Sequence, residues 1–240
     1  MDYETLINCF CAVFIHYNSN EKHEFVMHTS RDDFNSFINF LKKNITNKEW
    51  HISYNGLAFD AQITEYILDN ETKLRKLTVA DRVKHIYNYA QYCIDKSNNQ
   101  EWQDYPQWKM RIGQIDLFKM NHWDNRAKQS SLKWIQFSMD WDNLQDMPID
   151  HRQHINEEQV NIVLDYCIND VESTKEIYNK SKPQISLRKD LSKQFSVNLF
   201  SASEPKIGKE VFLYYMSRRL NIQPREIKRL KTNRSIIKLK

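Results

Sequence analysis

Glycine and proline are scarce in this chain, three and five residues respectively out of 240. That excludes collagen-like, linker-dominated and low-complexity architectures. No apolar run reaches the roughly 18 residues that span a bilayer, and the opening MDYETLINCF lacks the basic flank and apolar stretch of a signal peptide. A cytoplasmic protein without a membrane partner is expected. Cysteine is sparse too: Cys9, Cys11, Cys93 and Cys167 form no C-x-x-C pair and have no partners at zinc-site spacing, so buried thiols are expected. What is present, 40% hydrophobic and 28% charged residues, suits a soluble globular chain, long enough for one large domain or a domain with an appended segment. The net charge of +4 is unevenly placed, because from Arg218 to Lys240 nine Lys or Arg face a single acid, Glu226. Such a segment points toward a polyanion.

Residues 6–17 (LINCFCAVFIHY) and 24–28 (EFVMH) are apolar runs separated by a polar stretch, the pattern of a β-hairpin. Ser30 and Asp32 then open a helical segment carrying Phe34, Phe37, Ile38 and Leu41, ending near Lys42, Lys43 and Asn44. A short strand over residues 50–54 stops at Asn55-Gly56, and helical spacing resumes over 59–68. Residues 78–97 read as a helix, 98–110 as a Trp-bearing loop, 112–118 as a strand and 131–137 as a short helix. After an irregular acidic stretch over 140–154, Asn156 caps a long helix reaching Tyr178, with Val160, Val163, Leu164, Cys167, Ile168 and Val171 inward. Two further helical segments lie beyond Pro183. This order of strands and helices is α/β, with a domain expected over residues 1–182 and a helical, basic extension or the start of a linker over 183–240.

Three small constellations carry chemistry. Asp2-x-Glu4 puts two carboxylates on one face of an extended segment, where they repel unless a cation lies between them. Asp60 follows Asn55-Gly56-Leu57-Ala58-Phe59 at a strand-to-helix junction, where an acid is also favoured simply by the helix dipole. Tyr166 and Asp170, four residues apart in the long helix, stack a phenol and a carboxylate on one face. Each alone has a bland reading as a solvated strand end, a helix N-terminus or a half-buried tyrosine beside a surface acid. Asp116 and the group Asp140, Asp142 and Asp146 read as strand-end or loop acids.

Together, D-x-E, N-x-x-x-F-D and Y-x-x-x-D in this order and setting resemble the three motifs of the DEDD exonucleases, in the branch that carries a tyrosine. The strings SLKWIQ, MPIDH, VLDYCINDVESTKEIY and ISLRKDLSKQFSVNLFSASEPKIGKEVF extend the resemblance to the exonuclease portion of phage-type DNA polymerases, over residues 1–215. The resemblance implies an RNase H-like fold in which the acids converge at one edge of a mixed sheet flanked by helices. It implies a 3′–5′ exonuclease acting on the 3′ end of single-stranded DNA, in proofreading or end trimming in a phage-like replication system, with RNA as the nearest alternative substrate. A DNA polymerase domain or replication proteins are the implied partners, and the host cytoplasm the implied location. Asp2, Glu4, Asp60 and Asp170 would hold two Mg²⁺ or Mn²⁺ ions about 3.5–4 Å apart, a spacing suited to in-line phosphodiester hydrolysis by hard, oxygen-liganded ions. Tyr166, with an ordinary pKa of about 10, would orient the attacking water rather than act as a base. Thr5 would meet the terminal nucleotide, and Asn55 and Phe59 would line the strand's path.

One departure from the pattern stands out. Only Met1 precedes Asp2, whereas in this fold apolar residues lead into the acid pair, so the first strand is expected to be truncated and its acids weakly preorganised. That departure keeps open a rival reading, a non-catalytic nucleic-acid-binding or interaction module with the same fold. The basic end segment has two open readings, a phosphate contact or a linker.

Overall fold

Alternation along the first strand decides where its acids point. The structure, a computed structural model, describes residues 1–121 and 130–229. Strand β1 (Asp2–Leu6) pairs antiparallel with β2 (Cys9–Ile15), β2 with β3 (Lys22–His28), and β3 with the two-residue β4 (Arg31–Asp32), in the order β1-β2-β3-β4. The apolar run over residues 6–17 is therefore divided. Ile7 N–H donates to the His151 carbonyl (2.9 Å), and the Asn8 side chain exchanges two hydrogen bonds with the Ile155 backbone, which takes both residues out of the ladder. The expected shortfall in the first strand is met differently, because β1 runs forward from Asp2 and is paired at all five positions. Ahead of it, the Met1 amino group donates to Ile52 O (2.8 Å).

The register pairs Tyr3 with Ala12 and Thr5 with Phe10 on one face, and Glu4 with Cys11 and Leu6 with Cys9 on the other. Tyr3, Phe10 and Ala12 belong to a core with Phe37 and Leu41 of α1 (Phe34–Asn47), Ile63 and Ile67 of α2 (Asp60–Asp69), and Val83 and Ile86 of α4 (Val79–Asn98). Between α2 and α4 lies the single turn α3 (Glu71–Leu74). On the opposite face, Leu6, Cys9, Cys11 and Val13 pack against Val160, Val163, Leu164, Cys167 and Val171 of α7 (Glu157–Lys180). Fully burying such a side chain is worth about 1.5–3 kcal/mol, so each face anchors its helices firmly. Asn156 caps α7 in a reciprocal capping box with Gln159, as its sequence position predicts.

A separate parallel pair, β5 (Trp50–Ser53) and β6 (Gly113–Asp116), lies across from the Met1 end of β1, and β6 runs into α5 (Leu117–Asn121). Ile115 and Leu117 form a third cluster with Ile177 of α7 and Ile185 of α8 (Lys182–Phe195), against which Leu132 and Ile135 of α6 (Leu132–Ser138) also pack. The helical segments beyond Pro183 are α8, α9 (Glu204–Leu220) and α10 (Pro224–Ile227). Of α9 only Leu213 is buried. Residues 230–240 of the basic segment lie outside the described residues. All four cysteines are free and buried, and among the described residues no helix is long and apolar enough to cross a membrane.

Candidate metal and catalytic site

Since Tyr3 faces the α1–α2 core, Asp2 and Glu4 face α7, where Tyr166 and Asp170 lie one turn apart on the buried side of the helix. Ligand oxygens of Asp2, Glu4 and Asp170 come within 4.8 Å of one another, and among the described residues no other trio of His, Cys, Asp or Glu does so. Oxygen ligands of Mg²⁺ lie at about 2.0–2.1 Å, so two of them stand at most about 4.2 Å apart. The observed spread closes to that with small side-chain shifts. The three carboxylates are an all-oxygen donor set that fits a hard divalent ion.

Electrostatics shows that the crowded carboxylates favour a proton or a cation among them. Burial, then Asp60, Glu4 and Asp170, push the Asp2 carboxyl well above the usual carboxylate range. Burial, then Asp170 and Asp60, raise Glu4 to about 8, with Lys133 pulling the other way. Burial first, then the neighbouring acids, drives the Tyr166 phenol upward, so it keeps its proton at neutral pH. Cys167 lies beneath Asp2, its Sγ 3.4 Å from the Asp2 carbonyl and 3.7 Å from Oδ2.

Asp60 is treated differently. It starts α2, as its position after a strand and turn predicts, but its Oδ1 accepts the Tyr3 N–H (2.9 Å) at the edge of β1, and its carboxylate is not among the converging three. Burial raises it to about 7, even though backbone amides and the Met1 amino group pull it down. The turn before it is built with little tolerance. Asn55 adopts a left-handed conformation (φ 64°), and a Cβ on Gly56 would lie 2.0 Å from Ser53 Oγ and 3.3 Å from Asp60 Oδ2.

Asp116, read from the sequence as a strand-end acid, sits at the end of β6 and organises that turn. Fully buried, it accepts the N–H groups of Asn55 and Leu57 at 3.0 Å, as well as those of Phe118 and Lys119. Its own N–H is held by Ser201 Oγ (3.0 Å), which donates onward to Gln114 O.

The three residues expected along a substrate path divide. Strand alternation turns Thr5 to the face opposite Glu4, where it is buried. Phe59 is half-buried and packs against the α1–α2 core. Asn55 is half-buried, with its backbone committed to Asp116.

Two site residues escaped the motif reading. Lys133 of α6 reaches Asp170 Oδ1 at 2.7 Å, with its ammonium 4.4 Å from the centre of the Tyr166 ring. Gln136, wholly buried, donates from Nε2 to the same Asp170 oxygen (2.9 Å) and to Ser173 Oγ (2.7 Å). The available signal was a glutamine on the inward face of a helix whose other inward residues, Leu132 and Ile135, are apolar. A buried amide there needs a polar partner. Comparison with protein-family models, curated proteins and solved structures finds no match to this chain.

Proposed function

We propose that the chain is a divalent-metal-dependent 3′–5′ exonuclease that removes nucleotides from the 3′ end of single-stranded DNA, in proofreading or end trimming beside a replicative polymerase. One observation carries the reading: Asp2, Glu4 and Asp170, brought from a strand and a distant helix, converge next to a protonated tyrosine and a lysine. The antiparallel sheet and the parallel pair abut at the Met1–Ile52 hydrogen bond, an arrangement that supports the mixed sheet of an RNase H-like fold.

Asp2, Glu4 and Asp170 would hold Mg²⁺ or Mn²⁺, with Asp60 completing a four-carboxylate set for a second ion. Bound there, such ions lower the pKa of a water and neutralise charge on the attacked phosphate and the leaving oxygen. Tyr166, kept protonated by its surroundings, donates a hydrogen bond that orients the attacking water. Lys133 supplies a positive charge next to the scissile phosphate, and Gln136 fixes the orientation of Asp170 whether or not Lys133 remains paired with it.

The non-catalytic module is a second reading. Two observations favour it: the Asp60 carboxylate accepts the Tyr3 N–H and is not one of the converging three, and Lys133 already sits as counter-ion to Asp170. Digestion of a 5′-labelled single strand in Mg²⁺ or Mn²⁺ separates the two. Laddered loss from the 3′ end, abolished by EDTA and by Asp170→Asn, is the expected result. Binding of the strand without loss in either metal supports the module instead. Matched DNA and RNA strands assign the sugar.

A further inference from the structure

Helix α6 has two working faces. Inward, Gln136 is bonded to Asp170 while Leu132 and Ile135 pack on the third core cluster. Outward, Trp134 and Phe137 are exposed by 59% and 61% of their surface, their ring centroids 5.8 Å apart and their planes inclined by only 31°. Lys133 belongs to both sides, because its stem lines the outer surface while its ammonium turns in to Asp170. The two rings, with Lys133, Leu144, Gln145 and Asp146, border a groove of about 440 Å³.

The indole and phenyl, one turn apart on α6, leave more than half of their surface in solvent, a paired aromatic patch that the core does not use. Their exposed faces, inclined by 31°, offer surface to flat, apolar ring systems. The groove's chemistry selects among flat ligands. Asp146 repels phosphate, and Lys133, the cation bordering the groove, turns its ammonium inward to the acid site rather than into the groove. The backbone of a bound strand is therefore turned away from the groove. Its bases are free to lie on the rings, with the Asp146 carboxylate and Gln145 amide available to base edges. We infer that Trp134 and Phe137 form a stacking platform for bases of the single strand whose 3′-terminal phosphodiester reaches the acid trio. This rests on the proposed nuclease reading and deepens it, since it gives the site a preference for unpaired bases over a bare sugar-phosphate chain.

The test compares equilibrium binding of two fluorescein-labelled decamers in EDTA. One is an ordinary single strand; the other is abasic at the second to fourth positions from its 3′ end. The unaltered protein is expected to bind the ordinary strand about 5- to 150-fold more tightly, the range for loss of one stacked base. Trp134→Ala/Phe137→Ala should remove that discrimination, and Trp134→Phe should retain part of it. Equal binding of the two strands by the unaltered protein, or undiminished discrimination by the double variant, overturns the inference. A parallel digestion in Mn²⁺ keeps the two proposals apart. Degradation of the ordinary strand with no discrimination in binding defeats the platform alone. Discrimination that depends on the two rings, in a protein that degrades neither strand, upholds the platform and defeats the nuclease reading.

Discussion

The two ends of the acid site are held by different means. At the α6–α7 end, Asp170 is gripped by side chains, Lys133 at 2.7 Å and Gln136 at 2.9 Å. At the β5–α2 end, backbone does the holding: Tyr3 N–H binds Asp60, and Asp116 takes the Asn55 and Leu57 amides of the turn that delivers Asp60 together with two amides at the start of α5. Side-chain grips can be exchanged for a metal or a phosphate with little rearrangement, whereas a backbone-built turn is fixed when the chain folds. The α6–α7 end is therefore the adaptable half of the site, and the β5–α2 end the rigid half.

The largest expected effect lies in the rigid half. Asp116→Ala leaves four buried or half-buried N–H groups without their acceptor, and hydrogen bonds to a charged group are each worth about 1.5–3 kcal/mol. A loss of at least about 3 kcal/mol in urea unfolding is expected, together with displacement of the turn before Asp60. Gly56→Ala comes next. Its new Cβ would lie 2.0 Å from Ser53 Oγ and 2.7 Å from Ser53 Cβ, so overpacking should cost about 1–3 kcal/mol. Adding Ser53→Ala should return only part of that, because the Cβ clash persists.

The site's acids, in both halves, should respond to pH. Glu4 is raised to about 8 and Asp60 to about 7, in both cases by burial first, with neighbouring acids adding to it. The folded chain without metal then binds more protons than the unfolded chain between about pH 4.3 and 8, so this contribution to stability is complete below the unfolded carboxylate pKa and is lost as pH rises through 7 to 8. Thermal melts in EDTA should show a falling midpoint from pH 5 to 9. Mg²⁺ should restore more at pH 8 than at pH 5.5. Lys133→Met removes the cation that pulls Glu4 downward and should steepen the fall, a smaller effect than either substitution in the rigid half. A midpoint that is flat with pH in EDTA contradicts this account of the acids.

How much of this was legible in the sequence follows the same division. Features written in local periodicity were readable: the Asn156 cap and inward face of α7, the one-turn spacing of Tyr166 and Asp170, the start of α2 at Asp60, and the burial of the cysteines. Features written in long-range pairing were not. The break at Ile7-Asn8 depends on the backbone of His151 and Ile155, which an apolar run does not announce. The nucleotide contact that the resemblance implies for Thr5 carries no statement of which face it takes, and adjacency to Glu4 on a strand means opposite faces. Asp116 looked like an ordinary strand end because the amides it binds at Asn55 and Leu57 lie some sixty residues earlier. Lys133 and Gln136 act through Asp170, more than thirty residues further along the chain, so the local string SLKWIQ does not reveal their partner.

The central claim is that Asp2, Glu4 and Asp170 together hold a divalent ion, and calorimetric titration of Mn²⁺ into the protein at pH 8 tests it most directly. Saturable binding that disappears in Asp2→Asn/Glu4→Gln/Asp170→Asn, while that variant still unfolds cooperatively, is the expected result. Mn²⁺ binding of equal strength in the unaltered protein and the triple variant, or no binding in either, would contradict the account.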